Sequence, residues 1–375
     1  MLRKRSMKLG DLKVHTLAIP LREPIQFSWE PFPHPVYVFS IVEVEAGGFK
    51  GYSAIEFGAA YKHFLETTVK LTIQGLDIEI EDVDARLLEV GSWAIQRLGA
   101  LEVAIWDLIA KREGLPLYRL LGGGRRKVKV YASTGRLLSA EETVKMVEKY
   151  AELGIDVVKL RFRRERINED LEVLKAVARE FSDVKISVDA NQAWSYTPPY
   201  WSRKKAMKVA KELENFEVLW LEEPLWKDDV EGYRWLRENT SIEISGGELE
   251  HGIQRFRMLI EGGAFDIVQA DAVYSNGIQE CRKVAALAEA FNLKFMPHAW
   301  DPGLGWLANL HLAASLPEKL CPYIETPLDP LWWNEVMFGV LNGEVELEKG
   351  YAKLPEQPGL GFEPDEEKMK KFRIA

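Results

Sequence analysis

The chain has 375 residues, with 49 Lys and Arg against 58 Asp and Glu and a formal charge of −9. That length suits two domains or one large α/β barrel with an appended piece, and the acidic balance argues against nucleic acid as the main partner. No apolar run reaches the ~18 to 20 residues of a membrane span, and the start MLRKRSMKLG lacks the apolar segment of a signal peptide, so a soluble cytoplasmic protein is expected.

From Leu12 to Glu56 the pattern is strand-like: VHTLAI, VYVFSIVEV and GYSAIEF, separated by Pro- and Gly-bearing turns, predict an antiparallel meander. Between Ala60 and Leu121 apolar residues recur at helical spacing, clearest in AIQRLGALEVAIWDLIAKREG, which stops at Gly114 ahead of Pro116. Residues 1–125 therefore read as an α+β domain, with a boundary near GGGRRK at 122–127. Short apolar strands then alternate with amphipathic helices. The strands are VKVYAST (128–134), VVKLRF (157–162), VKISVDAN (184–191), VLWLEEP (218–224), IEISGGE (242–248), FDIVQAD (265–271), LKFMPHAW (293–300) and CPYIETP (321–327). Helical segments such as AEETVKMVEKYAELG, EDLEVLKAVAREF, GIQECRKVAALAEAF and WLANLHLAASL fill the gaps. Eight such units over 126–328 fit a TIM-type barrel better than an open sheet. Residues 329–375 read as short strands and turns, ending in a tail, LPEQPGLGFEPDEEKMKKF, that packs back on the first domain. Cys281 and Cys321 have neither CxxC spacing nor a disulfide framework and read as buried thiols.

In a barrel of this kind catalytic groups gather where strands finish. The third strand ends with Asp189 and Asn191, the fourth with Glu222 and Glu223, the fifth with Glu248, the sixth with Asp271, the seventh with His298 and the eighth with Glu325. The second strand contributes cations instead: in DVVKLRF, Lys159 and Arg161 share one face and call for an anionic partner. Asp189, Glu222 and Glu248 on three adjacent strands would repel one another unless a cation sits between them, and oxygen-only ligation favours Mg²⁺ over Zn²⁺. The competing reading of each is a helix cap or an ion pair with Lys or Arg. Asp271 beside His298 suits a general base, because a neighbouring carboxylate fixes the imidazole tautomer and raises its basicity. His251 and His311 read as structural. A glycosidase needs two carboxylates across a cleft, and here the position facing Glu222 and Glu223 holds His298, which weakens that reading. A binding protein without catalysis needs neither a metal triad nor a positioned base.

Taken in order, these segments resemble the mandelate racemase and muconate lactonizing enzyme family of the enolase superfamily. The resemblance rests on AIWDLIAKREGLPLYRLLGG (104–123), KLR (159–161), VDANQAW (188–194), WLEEP (220–224), GGE (246–248), QAD (269–271), PHAW (297–300) and QPGLGFE (357–363). It implies an α+β capping domain over a modified (β/α)7β barrel, with Mg²⁺ on Asp189, Glu222 and Glu248 and with Asn191 and Glu223 as auxiliary groups. The chemistry it implies is removal of the proton next to a substrate carboxylate, giving an enediolate whose charge Mg²⁺ and Lys159 share. Asp271 with His298 matches the mandelate racemase-type subgroup, and Glu325 its eighth-strand acid, a hydrogen-bond donor to the enediolate if protonated.

Three departures from the family pattern stand out. Arg161 occupies the place of the second lysine of a Lys-x-Lys motif, and arginine stays charged, so a two-base racemase is disfavoured. SYTPPYWS at 195–202 looks like an insertion whose aromatics suit either the pocket or a subunit contact. The loop QFSWEPFPHP at 26–35 lies where the family's specificity lid falls. The expected activity is a Mg²⁺-dependent dehydratase acting on a sugar acid through His298 alone, with an epimerase, racemase or cycloisomerase as the alternative. The expected partners are a small carboxylate substrate and further copies of the chain in a homo-oligomer, with no nucleic acid and no membrane.

Overall fold

The computed structural model of the protein describes residues 7–79, 86, 87, 89, 90 and 98–374. The start MLRKRS and the first four residues of the predicted helix at 94–114 lie outside these. Three long strands, β1 (Leu9–Ile25), β2 (His34–Ala46) and β3 (Phe49–Ile55), form the expected antiparallel meander, with Val14 opposite Val42 and Ile41 opposite Ala54. Gly47 and Gly48, at φ 56° and 84°, supply the left-handed backbone that a tight β2–β3 hairpin requires.

The helix Gly99–Glu113 packs across this sheet and is buried from Gly99 to Ala110, all the way round. Leu101, Ala104 and Leu108 belong to the core under the meander, whereas Val103, Trp106 and Ala110 belong to the barrel core, so one helix serves both. Gly51 of β3 lies so close to it that a Cβ there would sit 2.0 Å from the Ala104 carbonyl oxygen. Asp107, fully buried, accepts the backbone N–H of Tyr52 at 2.8 Å and of Leu360 at 2.6 Å and pairs with Lys111 at 2.8 Å. Strand, helix and carboxyl-terminal tail thus meet on one carboxylate. Farther on, the Ile374 N–H donates to the Thr16 carbonyl at 2.9 Å, which seats the end of the chain on β1 as expected.

The parallel strands run β4 (Lys127–Ser133), β5 (Val157–Arg161), β6 (Lys185–Asp189), β7 (Trp220–Glu222), β8 (Glu243–Gly246), β9 (Ile267–Val268) and β10 (Lys294–Phe295) in neighbouring order, and β11 (Tyr323–Pro327) pairs back with β4. The Phe295 N–H donates to the Leu320 carbonyl at 2.9 Å where β10 approaches β11. A helix follows each of the first seven strands, giving the (β/α)7β plan among the described residues. The hairpin β12 (Leu347–Glu348) and β13 (Tyr351–Lys353) attaches antiparallel to the start of β4.

The ladders are shorter than the apolar runs predict. β7 holds three residues against seven expected, and β9 and β10 hold two each. Apolar runs mark burial, not pairing: Gly247 at φ 104° ends β8, and Pro297 has no N–H to extend β10. The chain beyond each short ladder is thereby free to turn its polar side chains into the mouth of the barrel.

Candidate active site

Asp189 and Glu222 close β6 and β7, and Glu248 follows β8 by two residues. All three are buried, and one oxygen of each lies within 4.8 Å of the others. Six-coordinate Mg²⁺, with Mg–O near 2.1 Å, spans oxygen pairs from about 3 to about 4.2 Å, and the cluster, with its oxygens within 4.8 Å of one another, is close to that size. Burial and mutual repulsion raise the pKa of Glu222 and Glu248, although Lys159 and His298 act in the opposite direction. Glu223 is pushed well above its ordinary value by burial and by Glu248, and its Oε2 is buried without a partner. An orphaned buried oxygen next to three crowded carboxylates is the donor chemistry of a hard divalent cation. Asn191 and Glu223 both stand in left-handed backbone, at φ 42° and 45°. Asn191 donates its N–H to Asp189 Oδ1 at 2.8 Å and its side-chain amide to Oδ2 at 3.2 Å, which fixes that carboxylate.

Lys159 and Arg161 do point inward together, but to different depths. Lys159 is wholly buried, 2.6 Å from Glu222, 2.8 Å from Glu325 and 3.5 Å from Asp189. It lies beneath the cavity floor with its charge spent on these carboxylates, where the expectation put it against a substrate. Arg161 reaches the cavity. It ion-pairs with Asp189, donates to the Thr134 carbonyl at 2.5 Å and to Ser133 Oγ at 3.0 Å, and lies 4.8 Å from the Trp29 ring and 5.5 Å from the Trp300 ring.

Across from it, His298 Nδ1 is 2.8 Å from Asp271 Oδ2, and its Nε2 is 3.6 Å from Glu248. Asp271 also accepts the Val273 N–H at 2.7 Å and the Asn309 amide at 3.0 Å, which hold it as an acceptor for the ring. Burial works against charge on His298, but Glu248, Glu325 and Asp271 outweigh it and raise its pKa to about 10. Glu325 is drawn the other way: burial raises its pKa, but Lys159, His298 and Arg161 together bring it far below the usual range. The Ala299 N–H and the Trp300 indole also donate to it, at 3.1 and 3.0 Å. In this arrangement the groups facing Glu325 are donors: Lys159, the Ala299 N–H and the Trp300 indole.

A cavity of about 490 Å³ joins these groups. Arg161, Asn191, Trp194, Glu248, His298 and Trp300 line it from the barrel, with Leu249 and Tyr274, while Trp29, Glu30, Glu56 and Phe57 close it from the meander. The 26–35 loop therefore reaches the pocket. The insertion at 195–202 does not: Tyr196 and Tyr200 are exposed, and Arg163 anchors the loop through Ser195 Oγ at 2.9 Å. Sequence reasoning singled out the 26–35 loop but not Glu30 within it, and it missed Glu56 and Tyr274: Glu30 and Glu56 line the pocket only because the meander closes over the barrel, whereas Tyr274, shortly after Asp271 in the barrel, sets its ring 6.2 Å from that of His298. It also missed Asp301, fully buried beside Asp271, which burial and Asp271 hold far above the usual carboxylate range. His311 is structural: the Tyr118 N–H donates to Nδ1 at 3.0 Å, and Nε2 lies 3.2 Å from the Leu360 carbonyl. His251 is exposed. No helix among the described residues is long and apolar enough to cross a membrane.

Known proteins share this fold. The amino-terminal domain pattern of the mandelate racemase / muconate lactonizing enzyme family matches residues 11–122, and the enolase C-terminal domain-like pattern matches 142–368. The chain is 32% identical to the L-talarate/galactarate dehydratase of Salmonella typhimurium over 293 residues, 76% of this chain and 68% of that protein. With the arabinonate dehydratase of Saccharolobus solfataricus it shares 29% identity over 273 residues, 72% of this chain and 70% of that protein. The crystal structure of L-talarate dehydratase from Polaromonas sp. JS666 complexed with Mg and L-glucarate superposes with a TM-score of 0.84 at 27% identity, covering 99% of this chain and 98% of that one. Racemases and cycloisomerases also occur among the similar proteins. The chain belongs to the mandelate racemase/muconate lactonizing enzyme family of the enolase superfamily, and is an enzyme of that superfamily.

Proposed function

We propose that the protein is a Mg²⁺-dependent dehydratase that converts a sugar acid to a 2-keto-3-deoxy acid, with His298 as its single base. The observation that carries this reading is the inequality of the two sides of the cavity. One side holds His298 oriented by Asp271 at 2.8 Å, and the other holds Arg161, a permanently charged group fixed by Asp189, Ser133 and Thr134. Inverting a carbon centre from both faces calls for a second base, whereas dehydration needs one group that first removes and then returns a proton.

Asp189, Glu222 and Glu248 would hold Mg²⁺, with Asn191 bracing Asp189 and Glu223 nearby. When bound there, the ion supplies positive charge beside the substrate carboxylate, without which the adjacent proton is too weak an acid for a side chain. Nδ1–H of His298 donates to Asp271, so Nε2 is the atom that takes the α-proton. Glu248 is the carboxylate that most favours the charged form of His298; were it to share a bound cation, that influence would weaken in favour of the neutral ring that a base requires. The imidazolium then delivers its proton to the β-hydroxyl, which leaves as water. The enol that remains becomes the 2-keto acid. Arg161 holds a substrate oxygen, and buried Lys159 favours the ionised forms of Glu222 and Glu325.

Replacing His298 with Asn is expected to abolish both turnover and exchange of the α-proton with deuterated solvent. Persistence of exchange in that variant would assign the base to another residue. An epimerase or cycloisomerase on the same site would give no 2-keto acid, so product analysis by NMR separates the readings.

A further inference from the structure

The cavity has two walls of opposite character. The polar groups that reach it from the meander are Glu30 and Glu56, both acidic. Glu30 is set in place by the Phe27 N–H, which donates to Oε2 at 3.1 Å, and His34 Nε2 lies 3.7 Å from Oε1. Glu56 is the first residue after β3, beside the Tyr37 hydroxyl, and burial together with the charge of Glu30 raises its pKa to about 7. Both carboxylates line the cap side of the pocket, and the charge of Glu30 bears on Glu56 there. Among the described residues, the Lys or Arg lining this cavity is Arg161, and its guanidinium is already engaged by Asp189.

We propose that this acidic cap wall selects sugar monoacids over sugar diacids, with the reacting carboxylate turned to the barrel mouth and a neutral hydroxyl end turned to Glu30 and Glu56. A hydroxyl can donate to either carboxylate. A second substrate carboxylate has no proton to donate, finds no lysine or arginine on that wall and meets like charge, which is an effective way to reject a wrong partner. Between the two ends, the rings of Trp29 and Trp300, 5.0 Å apart and edge to face, offer apolar surface to the C–H faces of a polyol chain. The orientation rests on the dehydratase reading, because that reading says which end reacts.

Calorimetric titration of the full chain with Mg²⁺ at pH 8 tests it, using aldonates and the aldarates of the same configuration, such as gluconate with glucarate and galactonate with galactarate. At least one monoacid is expected to bind about tenfold or more tightly than its matched diacid, and the double variant Glu30→Gln with Glu56→Gln is expected to narrow that gap to about threefold or less. A diacid that binds as well as its monoacid, or a gap unchanged in the double variant, overturns the proposal. Exchange of the α-proton in deuterated water on the same samples reads the chemistry separately. Monoacid preference without exchange or 2-keto product removes the dehydratase reading and keeps the selectivity, whereas equal exchange and binding with both classes does the reverse. Failure of both classes to bind overturns both.

Discussion

His298 is joined through Nδ1 to Asp271 across 2.8 Å, and this single contact decides which ring nitrogen is left to act on a substrate. Asp271→Asn preserves the shape of the contact but places an amide where a charge was. Turnover is expected to fall by about 10² to 10⁴, the usual contribution of positioned acid–base catalysis, while Mg²⁺ binding measured by calorimetry stays within about threefold. A variant that retains full turnover would remove Asp271 from the mechanism.

Lys159 provides a stability test. It is the buried cation shared by Glu222 and Glu325, at 2.6 and 2.8 Å. Lys159→Met leaves both carboxylates without it, and the cost of breaking such a buried pair is about 3 to 5 kcal/mol. Urea unfolding in EDTA should show that loss, and saturating Mg²⁺ should restore part of it. Unfolding midpoints matching the unmodified protein would mean that the lysine is not needed to hold these groups.

Mg²⁺ itself should stabilise the fold, because it binds a site assembled only in the native state. At a concentration 100 times its dissociation constant the gain is about 2.7 kcal/mol, visible as a rise in melting temperature that EDTA reverses. Glu248→Gln should abolish most of that rise. If calcium or zinc proved equally effective and magnesium inert, the assignment of the triad would be wrong.

His311 predicts a pH dependence far from the active site. The Tyr118 N–H occupies Nδ1, and burial lowers the pKa of the ring to about 4 from an ordinary value of 6.5. The folded state resists a proton that the unfolded state accepts, so stability is complete above pH 6.5 and is lost as the pH falls toward about 4. The loss amounts to up to about 3 kcal/mol. His311→Asn, which can still accept and donate but does not titrate, should be less pH-sensitive than the unmodified protein over that window. Parallel urea midpoints from pH 7 to 4 would contradict the assignment.

The order of the barrel strands and the acidic residues at their ends could be read from the chain, because each depends on local periodicity and the rule that strand ends converge. Asp189, Glu222 and Glu248 are brought together by β6, β7 and β8 lying side by side. Depth was harder to read. Lys159 and Arg161 alternate correctly with their neighbours, but only the position of Glu325, which arrives 166 positions after Lys159 on a strand one removed from it in the barrel, shows that the lysine is held among buried carboxylates. Glu30 and Glu56 carry no motif at all. Their importance comes from the way the meander closes over the barrel, and the contacts that bring them there are non-local.

The helix Gly99–Glu113, buried on every side from Gly99 to Ala110 and tied through Asp107 to both β3 and the tail, bears on how new specificities can arise in this protein. Transplanting the whole meander from a relative would expose or mismatch that shared helix, because half of its surface is tailored to the barrel. The tip of the loop between β1 and β2 carries no such obligation. Trp29 and Glu30 can therefore vary while the helix stays unchanged, and laboratory evolution of substrate range has a small, separable target in that loop.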